Sequence, residues 1–156
     1  MHTIFLLADD DVDDIELFCE ALQTVDPSVE CVCVQNGREA LEMINSLLPN
    51  NQPQLIFLDI NMPVMNGWDC LRHLKNNPSL KDIPVLIYST TSREKDINYA
   101  LDLGALCFFT KPKDYQELKA MLATIAKNVH GDLLNAIIHF NNIKSKKIFS
   151  CQGPES

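Results

Sequence analysis

Five short apolar runs recur along the chain, separated by segments of helical periodicity, and this alternation restricts the chain to very few folds. The runs are rich in Ile, Val, Leu and Phe and lack a strict apolar–polar alternation, as expected for strands buried on both faces. The five runs are Ile4–Ala8, Val29–Val34, Leu55–Leu58, Val85–Tyr88 and Leu106–Phe109. Because strand alternates with helix, we predict an α/β fold with a doubly wound, five-stranded parallel sheet covered by helices on both faces.

The segments between these runs place apolar residues three or four positions apart, which is the spacing of one helix face. Ile15, Phe18 and Leu22 form such a stripe in the first segment. The chain has 156 residues, and a domain usually has roughly 100–200, so we expect one domain over residues 1–128. Residues 129–156 are expected to form a C-terminal extension, a short amphipathic helix followed by a frayed end. The apolar residues that predict this helix are Leu133, Leu134, Ile137 and Ile138.

The composition argues against several classes of protein. A net charge of −8 is unfavourable for sequence-independent binding of nucleic acid, which depends on Lys and Arg neutralising phosphates. The early apolar run Ile4–Ala8 is far shorter than the roughly 20 residues that span a bilayer, so we predict neither a membrane span nor a signal peptide. The six cysteines contain no CxxC pair, and most lie in apolar segments. We therefore expect reduced cysteines that pack in the core, and a cytoplasmic protein.

Polar and charged side chains follow four of the predicted strands, at the point where each strand ends. In open α/β sheets, ligands bind in the crevice outside the carboxyl ends of the strands, so these side chains are expected to converge there. Each of them alone has a purely structural explanation, such as an acidic helix N-terminus or a loop dipeptide. Their joint placement at four strand ends favours a binding site. The residues are Asp9, Asp10 and Asp11 after the first strand, Asp59 after the third, Ser89 and Thr90 after the fourth, and Thr110, Lys111 and Pro112 after the fifth.

The chemistry of this set is that of phosphoryl transfer. Clustered carboxylates repel one another and each tends to take up a proton. A hard divalent cation removes this conflict, and a set of oxygen ligands without His or Cys suits Mg²⁺ or Mn²⁺. Lys111 supplies a point charge for a phosphate, and Ser89 supplies a hydrogen bond to it. In such a site a carboxylate can itself be the nucleophile.

The order of these residues is similar to that of a known family. The matching features are the pair Asp9-Asp10, the run Asp59-Ile60-Asn61-Met62-Pro63, Asn66-Gly67, Ser89, Gly104-Ala105 and Lys111-Pro112. Over residues 3–128 the chain resembles the receiver domain of two-component response regulators. The pair Asp13-Asp14 and the long stretch Asn76–Ile83 resemble most the single-domain regulators related to phytochrome-associated ones. The resemblance implies a flavodoxin-like (βα)5 fold with strand order 2-1-3-4-5.

The resemblance also assigns roles to the acidic residues. Asp59 would be the phosphoacceptor. Asp10 and Asp59 would ligate Mg²⁺ directly, together with the backbone carbonyl of Asn61, and Asp9 would act through a bound water.

Further roles concern the residues after the fourth strand and in the fifth. Lys111 would pair with the phosphoryl oxygens, Ser89 would be the switch hydroxyl, and Phe108 would be the switch aromatic residue that packs inside when Ser89 moves toward the phosphate. Two features depart from the common pattern: Ser89 stands where Thr is commoner, and Thr90 is bulkier than the small residue often found there.

The function implied is that of a single-domain response regulator, a phosphoacceptor signalling protein rather than an enzyme with an external substrate. A histidine kinase or a phosphotransfer protein would donate the phosphoryl group to Asp59. One alternative is a Mg²⁺-dependent small-molecule phosphohydrolase with Asp59 as nucleophile. Enzymes resembling haloacid dehalogenases require a second Asp two residues later, where this chain has Asn61. The other alternative is a receiver that serves as a phosphate-independent scaffold.

Output is expected to pass through an unidentified protein partner or a homodimer, because the residues after Asn128 are too few for a DNA-binding or enzymatic domain. The apolar stripe of the extension would be exposed if the tail floated free, and such a stripe usually finds a partner surface. Of the two possibilities, packing on its own domain or across a homodimer, we favour the homodimer. The basic residues Lys144, Lys146 and Lys147 would then meet the acidic body.

Overall fold

The structure is a computed structural model that describes residues 2–144 and 149–151. Strands and helices alternate along the chain from the first strand to the fifth helix. The strands are β1 (Thr3–Ala8), β2 (Val29–Val34), β3 (Leu55–Leu58), β4 (Val85–Ser89), β5 (Cys107–Thr110) and β6 (Phe149–Cys151). The helices are α1 (Val12–Val25), α2 (Gly37–Leu47), α3 (Gly67–Asn76), α4 (Glu94–Asp102), α5 (Tyr115–Asn128) and α6 (Leu133–Lys144).

The first five strands form a parallel sheet in the order β2-β1-β3-β4-β5. The predicted α/β fold and strand order are therefore confirmed, and each predicted strand lies within one residue of the observed one. The prediction of a sheet with five strands was incomplete, because β6 adds a sixth strand, antiparallel to β5. A three-residue strand is too short to show a periodicity, and the sequence therefore gave no signal for it.

Alternate residues of the strands enter two separate apolar layers. On one face Phe5, Leu7 and Phe57 pack with α1 and α5, and on the other face Leu6 and Leu58 pack with α2, α3 and α4. Because both faces are covered, β1 and β3 are buried along their whole length. Within the described residues, none of the helices combines the length and the apolar character that a membrane span requires.

The loops at the carboxyl ends of the strands are fixed by helix caps and one close approach. The Asp11 side chain accepts hydrogen bonds from the backbone N–H groups of Asp13 and Asp14, which caps α1 directly after β1. Gly67 donates its backbone N–H to the carbonyl of Ile60 at 2.8 Å. A Cβ atom at Gly67 would clash with the carbonyl oxygen of Asp59. Glycine at this position therefore lets α3 start directly against the end of β3.

The C-terminal extension folds back on the rest of the chain. The predicted helix is present as α6, and its residues Leu133 and Ile137 are buried in the same apolar layer as α1 and α5. Leu133 and Ile137 thus pack on their own domain, whereas Leu134 and Ile138 are partly exposed, and the homodimer stays a prediction. The basic residues Lys146 and Lys147 and the Lys144 side chain lie outside the described residues. The boundary between residues 128 and 129 stays a prediction.

Two cysteines correct the expectation of reduced thiols. Cys107 in β5 and Cys151 in β6 form a disulfide, and the same two residues are paired in the strand register. Where a frayed end was expected, residues 149–151 are therefore tied to the edge of the sheet. Cys19, Cys31, Cys33 and Cys70 are free thiols, as expected.

We predict that the disulfide holds β6 on the edge of β5. Alternate amides of a strand point toward opposite neighbours, so loss of β6 would leave half of the β5 amides without a partner. In Cys151→Ser we expect faster hydrogen exchange in residues 107–110, with exchange in β1 and β3 unchanged. Cys70→Ala is the matched control, since it removes a thiol on α3 and leaves β6 in place. Equal protection of residues 107–110 in Cys151→Ser and the wild type would show that the disulfide does not hold the strand.

Candidate functional site

A buried ammonium group lies at the carboxyl ends of the central strands. The Lys111 side chain is 8% exposed. Its Nζ lies 2.6 Å from Asp9 Oδ2, 2.8 Å from Asp14 Oδ2 and 3.4 Å from Asp59 Oδ2. One cation thus joins the end of β5 to residues that follow β1 and β3. The convergence predicted from the strand ends is present.

Backbone hydrogen bonds fix the carboxylates in this arrangement. Asp9 is fully buried, its N–H donates to Val34 O at 3.0 Å, and its Oδ1 accepts the N–H of Asp11 at 3.0 Å. Asp59 is 8% exposed, and its Oδ1 accepts the N–H of Ile60 at 2.7 Å. Each carboxylate therefore has one oxygen held by the backbone and the other directed at Lys111.

The acidic residues also present a set of oxygen ligands. Carboxylate oxygens of Asp9, Asp10 and Asp59 all lie within 4.8 Å of one another. Asp10 is exposed, whereas the other two are buried, so the cluster opens to solvent on one side. Asn61 lies two residues beyond Asp59, in the loop before α3, with its side chain exposed. A donor set made only of carboxylate oxygens fits a hard divalent cation.

Burial and charge oppose one another at this site. The pKa of Asp59 is raised to about 6. Burial is the largest cause; the charge of Lys111 acts in the opposite direction, and the charge of Asp9 adds to the increase. Burial alone would lower the pKa of Lys111, but hydrogen bonds to Asp14 and Asp9 raise it above its usual value. Lys111 is therefore charged, and the carboxylates around it outnumber it. The excess negative charge favours a second cation beside them.

The sequence analysis missed two residues of the site. Asp14 lies in the first turn of α1 and binds Lys111. The ring of Tyr88 lies below the same ammonium group, with Lys111 Nζ 5.2 Å from the ring centroid, a cation–π contact. No local signal separated Asp14 from an ordinary acid in the first turn of a helix. Tyr88 gave no signal beyond its place in an apolar strand.

The predicted switch residues occupy the ends of β4 and β5. Ser89 is 2% exposed, and its hydroxyl oxygen accepts the N–H of Thr91 at 3.4 Å. Thr90, which follows Ser89 directly, is exposed. Phe108 is already buried, at 1% exposure, in the layer that contains Ile87 and Ala100. Phe108 therefore already occupies the buried position that it was expected to reach only after phosphorylation.

The comparisons with known proteins agree with this geometry. A family model described as the response regulator receiver domain matches residues 5–123. Response regulator Rcp1 from Synechocystis is 30% identical over 125 residues, which are 78% of this chain and 85% of Rcp1. A protein-glutamate methylesterase/protein-glutamine glutaminase from Methanococcoides burtonii is 33% identical over 146 residues. The matched region spans only 39% of that enzyme's length.

Solved structures show the same likeness. The phosphorylated cyanobacterial phytochrome response regulator RcpA superposes with a TM-score of 0.74 at 33% identity, covering 81% of this chain and 93% of RcpA. The Mn²⁺-bound form of Rcp1 gives a TM-score of 0.68 at 29% identity, covering 80% of this chain and 92% of Rcp1. The resemblance to phytochrome-associated regulators stated from the sequence is confirmed. The chain belongs to the response regulator receiver domain family.

Proposed function

We propose that this chain accepts a phosphoryl group on the carboxylate of Asp59 from a histidine kinase or a phosphotransfer protein and signals through the change that follows. The observation that carries the proposal is the contact between Lys111 and Asp59, with Nζ 3.4 Å from Oδ2. A buried ammonium group next to a carboxylate is placed to neutralise a phosphoryl group bonded to that carboxylate. Such neutralisation is the largest requirement in phosphoryl transfer.

Asp59 is suited to act as the nucleophile. With a pKa of about 6, Asp59 is ionised at neutral pH. Because burial makes its carboxylate less stable than that of an exposed Asp, the Asp59 carboxylate is also the more basic of the two. In the transfer, a carboxylate oxygen of Asp59 forms the new bond to phosphorus while the bond from phosphorus to the donor's histidine nitrogen breaks. Lys111, which faces Oδ2, then lies beside the transferred oxygens.

The residues that would hold Mg²⁺ or Mn²⁺ are Asp9, Asp10 and Asp59, whose oxygens lie within 4.8 Å of one another, with the backbone carbonyl of Asn61. When bound, the ion would supply positive charge that the single ammonium group cannot provide. The metal-bound form of Rcp1 and the phosphorylated form of RcpA support this part of the proposal.

The Ser89 hydroxyl is placed to report the phosphoryl group. It ends β4, and the backbone N–H of Lys111 donates to the Ser89 carbonyl at 2.7 Å, so both residues belong to one rigid junction. We propose that the Ser89 hydroxyl moves to donate a hydrogen bond to a phosphoryl oxygen. This movement of Ser89 then alters the packing of Phe108. Phe108 also lines a cavity of about 630 Å³ between α4, β5 and β6. If the active and inactive states are populated 1:99 before phosphorylation, phosphorylation must favour the active state by about 5.5 kcal/mol to reverse that ratio.

The output surface belongs to the proposal. Because α6 buries Leu133 and Ile137 and β6 occupies the edge of β5, a homodimer would use the outer face of α4, a helix in which only Ala100 is buried. A downstream protein partner would bind the same face. The net charge of −8 supports a protein partner rather than nucleic acid or an acidic membrane surface. A cytoplasmic location completes the proposal: the four free cysteines support it, whereas the Cys107–Cys151 disulfide does not.

The first prediction concerns the phosphoacceptor. We expect a single acid-labile phosphoryl group when the full chain is incubated with Mg²⁺ and acetyl phosphate. Asp59 is the expected acceptor because it contacts Lys111, belongs to the carboxylate cluster and, unlike Asp9, is not fully buried. Intact mass spectrometry should show this addition in the wild type and none in Asp59→Asn. Asp13→Asn, which changes an exposed acid in the first turn of α1, is the matched control and should be labelled like the wild type. Equal labelling of Asp59→Asn would refute the assignment.

A second prediction concerns pH and stability in the absence of divalent cations. The pKa of Asp59 is about 6 in the folded protein, above the usual value of 3.8, so its ionisation opposes folding. This destabilisation is absent below about pH 3.8, develops as the pH rises to 6, and is complete above it. One pKa unit corresponds to about 1.4 kcal/mol, so Asp59→Asn should raise the free energy of unfolding by up to about 3 kcal/mol at pH 7.

Urea unfolding of the wild type and Asp59→Asn at pH 4 and pH 7, with a chelator present, measures this difference. The gain at pH 4 should be much smaller than at pH 7. An equal gain at both values, or a loss at pH 7, would show that burial does not raise the pKa of this carboxyl.

A third prediction concerns the switch. In Ser89→Ala we expect phosphorylation to continue but its effect on β4 and β5 to disappear, because the carboxylates and Lys111 remain while the reporting hydroxyl is lost. Hydrogen exchange in residues 85–91 and 106–110, with and without phosphodonor, measures the response. Ser79→Ala, which removes an exposed hydroxyl in the loop after α3, is the control and should respond like the wild type. A full response in Ser89→Ala would exclude Ser89 as the switch.

A further inference from the structure

Three free thiols meet at a place that the proposed phosphoryl transfer does not use. Cys19 Sγ lies 3.3 Å from Cys31 Sγ and 3.0 Å from Cys33 Sγ, and the last two are 3.5 Å apart. All three residues are partly exposed. Each sulfur therefore contacts both of the others, and solvent can reach the group.

The fold brings these thiols together from two elements. Cys31 and Cys33 are two residues apart in β2, so their side chains share one face of the strand. Cys19 lies in the third turn of α1, which packs on that face. Because β2 is an edge strand of the sheet, the cluster lies near the side of the molecule rather than in its centre.

A cavity gives access to the cluster. It has a volume of about 420 Å³ and is lined by Cys19, Cys31, His2 and Glu30 among others. His2 and Glu30 contact each other across its mouth. A metal ion, with a water or another small fourth ligand, can therefore reach the sulfurs without rearrangement of the sheet.

We propose that Cys19, Cys31 and Cys33 form a binding site for a soft d¹⁰ metal ion, Zn²⁺ or Cu⁺. Thiolates select such ions, whereas the carboxylates near Lys111 suit hard cations. Around a tetrahedral ion with bonds of about 2.3 Å, sulfurs lie about 3.8 Å apart. From the observed separations of 3.0 to 3.5 Å, the sulfurs need to move apart by less than about 1 Å, which rotation of partly exposed side chains provides. On binding, thiol protons pass to solvent and sulfur–metal bonds form, without any change of oxidation state.

The site links α1 to β2 and is independent of Asp59. Metal binding therefore adds a cross-link to the fold, and its absence leaves the phosphoacceptor intact. Among the described residues, this cluster and the carboxylate cluster are the two groups whose ligand atoms lie close enough to share an ion.

The test uses the full chain, purified without oxygen so that the free thiols stay reduced. The chain is dialysed to equilibrium against Zn²⁺ and, in a separate experiment, against Cu⁺. Excess Mg²⁺ is present in both to occupy the carboxylates, and elemental mass spectrometry counts the bound Zn²⁺ or Cu⁺. We expect one ion per chain. Loss of an outer-shell partner alone costs 10–100-fold in affinity, so Cys31→Ser and Cys33→Ser should weaken binding by about 100-fold or more. Cys70→Ser, a free thiol on α3, is the matched control and should change it less than about threefold.

A second measurement does not depend on any variant. Bound metal should slow alkylation of Cys19, Cys31 and Cys33 in the wild type and leave the rate at Cys70 unchanged, as read by peptide mass spectrometry. Binding of either ion with this protection supports the proposal. Failure of both ions to bind, equal binding by Cys31→Ser, or alkylation rates that metal does not change would overturn it. None of these results bears on phosphorylation of Asp59.

Discussion

The site depends on one buried ion cluster. Lys111 is 8% exposed and has three carboxylates within 3.4 Å. Removing a charge from water costs several kcal/mol, and close partners with good geometry must offset that cost. The cluster therefore fixes the end of β5 against the ends of β1 and β3. Because negative charge remains in excess, the same cluster that stabilises Lys111 also creates the demand for a cation and a place for a phosphoryl group.

Much of this arrangement is readable in the sequence, since it follows from the topology. A parallel sheet brings the carboxyl ends of all its strands to one edge, so finding Asp9, Asp59 and Lys111 directly after apolar runs is enough to bring them together. The Asn66-Gly67 pair also has a structural reason. A Cβ atom at position 67 would clash with the carbonyl oxygen of Asp59, and the Asn66 side chain caps α3. The α/β fold and the convergence of the carboxylates were therefore predicted correctly from the residues, whereas the strand order was implied by the resemblance to receiver domains.

Other features depend on contacts that a linear pattern does not carry. Asp14 reaches Lys111 across 97 positions of the chain, and nothing local separates it from an ordinary acid at a helix N-terminus. Two surfaces could have covered the apolar stripe of the extension, its own domain or a second copy of the chain. Only the structure shows that Leu133 and Ile137 pack on their own domain. The pairing of Cys107 with Cys151 depends on a three-residue strand. Phe108 is buried by neighbours from α4 and from the loop before β5, which the aromatic residue alone does not reveal.

The central claim is that Asp59 receives the phosphoryl group, rather than any other carboxylate near Lys111. The most direct measurement is reductive trapping of the phosphorylated chain with borohydride, which converts an aspartyl phosphate to homoserine, followed by peptide mapping. The account predicts homoserine at position 59 and unchanged Asp at positions 9, 10 and 14. Homoserine at position 9, 10 or 14 in place of position 59 would contradict it.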